Sequence, residues 1–143
     1  MDYSWDISLV TGHKIIDEQH MQLFATLVNL IEASSQGLGK DEIYKTLDFL
    51  GEYTVMHFKT EEELQIEYGY PGYSLHKQSH DEFKTTIYDL IHTLQKKGPK
   101  KKLINAVIQT VGDWLTTHIK GSDMEMAAYL KSQGAMKKST EHG

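Results

Sequence analysis

Apolar residues recur along the chain in steps of three and four, in four long stretches that short glycine-containing segments separate. This spacing is typical of helices that bury one face. Gly37 follows the first stretch and Gly98-Pro99 follows the third, as expected where helices end. The pattern predicts helices over residues 17–35, 41–68, 73–97 and 100–119, with a short terminal helix over 123–131.

Long helices joined by turns of about 2–5 residues pack as antiparallel neighbours. We therefore predict an all-α fold, an antiparallel up-down-up-down four-helix bundle with an N-terminal arm and a short C-terminal helix. Residues 1–143 would form one domain, and Trp5 would anchor the arm. The predicted parts are the arm 1–16, the bundle about 17–119, the terminal helix about 123–131 and a frayed tail to 143.

Polar side chains occupy several positions of the predicted buried faces. A buried polar group without a partner costs about 2–7 kcal/mol, so such positions require an explanation. A bound metal ion would satisfy all of these side chains together. The seven candidate ligands are His20, His57, Glu61, His76, His80, His118 and Asp123.

The spacing of these candidates supports a shared site. His57 and Glu61 are four residues apart and lie on one helix face, as do His76 and His80. A fifth residue along a regular helix lies about 140° away, so Asp123 would face away from His118. We therefore expect the helix to break at Gly121 and return Asp123 to the site.

Composition limits the chemistry of the site. The chain has no cysteine, so metal ligands must be nitrogen and oxygen atoms. The net charge of −5 argues against nucleic acid or an anionic membrane as partner. The lysine-rich run 96–102 is interpreted as a solvated turn. No targeting pattern or long apolar run is present, so we expect a cytoplasmic location.

The donor set argues against some metals. Zinc prefers four tetrahedral ligands, which seven converging groups exceed, and carboxylate bridges suit copper less well. A ferritin-like carboxylate site needs Glu-x-x-His on two helices. The nearest match here is Asp17-x-x-His20, in which Asp17 is better interpreted as a helix N-terminal residue.

The motifs together resemble those of the bacterial haemerythrins over about residues 5–130. They are Asp17-Glu18-Gln19-His20, His57-Phe58-Lys59-Thr60-Glu61-Glu62, Gly69-Tyr70-Pro71, His76-xxx-His80 and Trp114-Leu115-Thr116-Thr117-His118-Ile119 followed by Asp123.

The resemblance implies a particular metal centre, with two oxo- or hydroxo-bridged non-haem iron ions. Manganese or zinc could still replace iron in such a site. One iron would take His76, His80 and His118, the other His20 and His57, and Glu61 and Asp123 would bridge them. The iron with two histidines would keep one open position for O2, and Leu115 and Trp114 would line the O2 pocket.

The implied function is reversible O2 binding for carriage, storage or delivery. Alternatives are an O2 or redox sensor module, or a diiron enzyme that detoxifies O2, peroxide or nitric oxide. We assign no catalytic residue and expect no more than weak oxidase or peroxidase activity. Nitric oxide or small anions are further candidate ligands, and the protein partner is unassigned.

Five other residues receive simpler interpretations. His92 should be exposed and His142 should lie in the tail. His13 departs from the family pattern; it would lie at the surface, line a channel or reach an ion at the end of the bundle. Glu62 and Glu63 should point into solvent.

Overall fold

The computed structural model describes residues 3–37 and 39–135, and these residues contain helices but no strand. The part of the predicted tail beyond residue 135, which includes His142, lies outside the described residues, as does Leu38. Apart from the start of the first helix, every predicted bound is within one residue. The helices are α1 (Lys14–Ser35), α2 (Lys40–Glu67), α3 (Tyr73–Lys97), α4 (Lys101–His118) and α5 (Met124–Ser132).

The four long helices form a closed bundle. Helix α1 packs against α2 and α4, and α3 packs against the same two helices. Successive helices are joined by the short segments 36–39, 68–72 and 98–100, so neighbouring helices run in opposite directions. The all-α prediction and the up-down-up-down four-helix bundle are thus confirmed.

Helix α1 begins three residues earlier than predicted because His13 caps it. The Nδ1 atom of His13 accepts the backbone N–H of Ile16 at 3.4 Å. The carboxylate of Asp17 reaches back to accept the backbone N–H groups of Thr11 and Gly12 at 2.9 and 3.1 Å. This reciprocal arrangement resembles a capping box and fixes the first turn, which carries the chain towards His20.

The predicted break at Gly121 is wrong. Residues Ile119–Asp123 form a π-helical turn that runs without interruption from α4 into α5. Hydrogen bonding in a π turn joins residues five apart, so residues at that spacing lie near one face. The wider turn brings Asp123 back over His118 without breaking the helix.

The N-terminal arm crosses the bundle through a short 3₁₀ turn, Ile7–Leu9. Leu9 is the buried residue of this turn, whereas the predicted anchor Trp5 is partly buried and packs against the same core. Tyr3 lies directly over Gly112 of α4, where a Cβ atom would collide with its ring. The hydroxyl of Tyr3 donates to Asp113 at 2.8 Å.

The bundle has two different ends. The interior furthest from α5 is filled by apolar side chains, including Leu27, Leu30, Leu47, Leu94 and Ile108. The candidate ligands lie inside the other end, which α5 closes. Among the described residues, no helix is both long and apolar enough to cross a membrane.

Candidate metal centre

Glu61 lies at the middle of the polar interior and is completely buried. Its Oε2 atom is 2.9 Å from Nε2 of His57 and 3.3 Å from Nε2 of His20. Its Oε1 atom is 3.2 Å from Nε2 of His80 and 3.3 Å from Nε2 of His76. The two oxygens of one carboxylate therefore face two different sets of imidazoles.

Asp123 repeats this arrangement from the opposite side. Its Oδ2 atom is 3.1 Å from Nε2 of His20. Its Oδ1 atom is 3.1 Å from Nε2 of His76 and 3.2 Å from Nε2 of His118. The π turn is what positions this carboxylate, because α4 alone would direct it elsewhere.

The seven candidate side chains form two buried groups that share both carboxylates. One group is Glu61, His76, His80, His118 and Asp123, and the other is His20, His57, Glu61 and Asp123. Within each group the potential ligand atoms all lie within 4.8 Å of one another. The structure thus brings together every side chain that the sequence analysis selected, and their binding of metal stays a prediction.

Several polar atoms of this cluster lack an ordinary hydrogen bond. Both oxygens of Glu61, Oδ1 of Asp123 and Nε2 of His20 and His80 are buried without a hydrogen-bond partner among the described residues. Unpaired buried polar atoms are costly and uncommon. Lone pairs that converge without donors are what a cation requires, so these residues fit a pair of metal ions.

Electrostatics in the metal-free cluster supports the same conclusion. Burial disfavours a charged His20, but contacts with Asp123 and Glu61 outweigh burial and raise the pKa of His20 to about 9. The same causes raise the pKa of His76 to about 9. Burial also opposes ionisation of Glu61, yet the charge of His57 and contacts with neighbouring imidazoles hold its pKa well below the ordinary value. Without a metal, protons supply the positive charge that the two carboxylates attract.

Comparison with known proteins identifies the family. The model of the family described as "Hemerythrin HHE cation binding domain" matches residues 11–130. The chain belongs to the haemerythrin family. The chain is 34% identical to a hemerythrin-like protein of Naegleria gruberi over 128 residues, covering 90% of this chain and 93% of that protein.

Two further comparisons agree with this assignment. The chain is 35% identical to a bacteriohemerythrin of Methylococcus capsulatus over 105 residues, covering 72% of this chain and 76% of that protein. A crystal structure of wild-type hemerythrin superposes with a TM-score of 0.78 at 29% identity, covering 89% of this chain and 96% of the other. The resemblance drawn from the motifs is therefore confirmed.

The sequence analysis missed two polar contacts behind the histidines of this haemerythrin. The Nδ1 atom of His57 lies 2.8 Å from Oε1 of Gln19, and Nδ1 of His80 lies 2.9 Å from Oε2 of Glu62. These oxygens can only accept, so each ring donates its Nδ1–H and keeps Nε2 free for the centre. The expectation that Glu62 is simply solvated is wrong, whereas Glu63 is exposed as predicted.

Aromatic rings stack on two of the imidazoles. Phe58 stacks on His80 with ring centroids 3.8 Å apart, and Trp114 stacks on His118 at 4.2 Å. Leu115 is buried one turn before His118. The structure therefore places Trp114 and Leu115 beside the polar cluster, and their lining of an O2 pocket stays a prediction.

The remaining histidines differ in their surroundings. His13 is buried, not at the surface, and caps α1 through Nδ1, which explains its presence at this position. Burial lowers its pKa, a direction that the charges of Asp17 and Glu61 oppose. His92 is exposed as predicted and stacks on Tyr88.

Proposed function

We propose that this haemerythrin is a non-haem diiron protein that binds O2 reversibly, for carriage, storage or delivery. The observation that carries this proposal is the pair of buried groups that share Glu61 and Asp123. One group offers three imidazoles and the other offers two, so the second group leaves more of its metal's coordination sphere open. A bound pair of ferrous ions would supply electrons for reversible O2 binding at that open position.

In this proposal His76, His80 and His118 hold one iron, and His20 and His57 hold the other. Glu61 and Asp123 would serve both irons, because one oxygen of each carboxylate faces each group. Neutral imidazoles outnumber the carboxylates, so the centre carries less negative charge than a carboxylate-rich site. That balance favours reversible binding over strongly oxidising chemistry.

The chain also controls access to the centre. Leu115 is 1% exposed, and Phe58 and Trp114 cover the imidazoles of His80 and His118. We propose that this apolar lining excludes water and slows the delivery of protons to bound O2. In the described residues we assign no group to catalytic turnover.

The decisive experiment is anaerobic reduction of the iron-loaded protein followed by O2 titration, with ultraviolet–visible and resonance Raman detection. The proposal predicts a stable oxygenated protein that releases O2 under vacuum. Rapid loss of the reduced state with continuous consumption of reductant would instead support a detoxifying enzyme. A partner recovered with the oxygenated protein and not with the reduced protein would support a sensor.

Replacing the lining residue tests its role separately. Leu115→Ala should leave two irons per chain and shorten the lifetime of the oxygenated protein by about tenfold or more, because water enters the space that is vacated. Leu47→Ala is the matched control, since it makes the same truncation in the apolar end. Equal lifetimes for the two variants would contradict a lining role for Leu115.

A further inference from the structure

The two contacts behind the imidazoles are chemically unequal. Gln19 presents a neutral amide oxygen to His57, at 2.8 Å, and Glu62 presents a carboxylate oxygen to His80, at 2.9 Å. The two rings belong to different groups of the centre. The second contact is therefore charge-assisted, and the first is not.

Neighbouring residues fix Gln19 in this orientation. Its Nε2 group donates to Oγ1 of Thr60 at 3.2 Å. The hydroxyl of Thr60 in turn donates to the backbone carbonyl of Met56 at 3.2 Å, so it accepts from Gln19 rather than donating to it. A flipped amide would lose this bond and turn its NH₂ towards the N–H of His57. The amide oxygen is thus held against the imidazole.

Glu62 is placed where its charge is effective. His80 is fully buried and the side chain of Glu62 is 15% exposed, so little water screens the contact between them. A carboxylate that accepts the Nδ1–H of a metal-binding histidine increases the basicity of the opposite nitrogen. His80 should therefore be a stronger donor than His57, whose Nδ1–H meets only an amide.

We propose that Glu62 and Gln19 are positioning residues that make the two metal positions unequal. Glu62 strengthens the position of His76, His80 and His118. Gln19 orients His57 without strengthening it, so the position of His20 and His57 holds its metal more weakly. The inference rests on the proposed function, because this second position is the one left open to O2. A weaker donor there opposes irreversible oxidation of the ion that binds O2.

The test is a chelator titration of the anaerobic, two-iron protein, with matched isosteric variants. The unsubstituted protein should release its irons in two separate steps. Glu62→Gln should weaken the tighter position by about tenfold to a hundredfold and bring the two steps together. Gln19→Glu should strengthen the weaker position. Glu63→Gln is the control, because Glu63 is exposed and loses the same charge one residue away.

A spectroscopic measurement separates this role from general loss of structure. In the cobalt-substituted protein, the shifted imidazole N–H proton signal of His80 should move in Glu62→Gln. The signal of His57 should move in Gln19→Glu instead. Partial recovery of the separate release steps in Glu62→Asp would agree with the proposal.

Three results would overturn the inference. The first is a chelator titration in which Glu62→Gln behaves like Glu63→Gln, and the second is one in which Gln19→Glu loosens both metals equally. The third is an unsubstituted protein that retains fewer than two metals per chain. The third result would overturn the proposed function as well. A protein with two ordered metal positions but no reversible uptake of O2 would overturn the proposed function alone.

Discussion

The two ends of the bundle are made from the same helices and the same three-and-four spacing, yet their interiors differ. At the end furthest from α5, Leu27, Leu30 and Leu47 fill the space and need no other component. At the α5 end the equivalent layer contains five imidazoles and two carboxylates, and several of their converging atoms have no hydrogen-bond partner among the described residues. One end is stabilised by burial of apolar surface, whereas at the other a bound cation would compensate the cost of burying polar groups.

Removing the metal should produce the largest difference between the two ends. A ligand that binds only the folded state adds about 4 kcal/mol at a free concentration a thousand times its dissociation constant. We expect anaerobic chelation to lower the melting temperature and to increase amide hydrogen exchange mainly around His57, His80 and Asp123. Hydrogen exchange with mass spectrometry would measure this. A uniform increase that included the helix segments around Leu30 and Leu47 would contradict the division of the bundle into two ends.

A core truncation at the apolar end should lower stability independently of the metal. Leu47→Ala should lower the free energy of unfolding by about 2–5 kcal/mol, because it leaves a cavity in a fully packed layer. The loss should be the same with and without metal, since Leu47 lies outside the polar cluster. Urea unfolding of both forms would measure it. A cost that appeared only in the metal-loaded protein would show that the two ends are energetically coupled.

The sequence predicts the two ends unequally well. Helix spacing alone placed His76 and His80 on one buried face, and it located Leu47 in the core, because both follow from a repeat within one helix. It did not predict the contact of Gln19 with His57, which depends on how two helices rotate against each other. It also misjudged Gly121, because no local pattern distinguishes a broken helix from a π turn.

The stability of the metal-free protein should depend on pH through the ionisable groups of the polar end. The pKa of His20 and His76 is raised from 6.5 to about 9, so the folded state binds more protons than the unfolded state between these values. This stabilisation is complete below pH 6.5 and is lost as the pH rises through 9. Glu61 has a lowered pKa, so its contribution is lost as the pH falls below its ordinary range.

Metal should abolish the first of these trends. Metal displaces the protons of the imidazoles in the folded state, so the stability of the loaded protein should rise until the pH passes 6.5 and then level off instead of falling towards pH 9. Urea unfolding at several pH values, with and without metal, would compare the two slopes. An equal fall towards pH 9 in both forms would show that the imidazoles are not exchanging protons for metal.

The smallest expected effect lies at the boundary between the two ends. Thr54 is buried one turn before His57, and its hydroxyl donates to the backbone carbonyl of Leu50 at 2.7 Å. Because this hydroxyl is satisfied within its own helix, Thr54→Val should change the free energy of unfolding by less than about 1 kcal/mol. Metal content should stay at the level of the unsubstituted protein. Urea unfolding and metal analysis would measure both quantities. A loss of metal in Thr54→Val would mean that the polar end extends one helical turn further into the bundle than the contacts of Glu61 and Asp123 indicate.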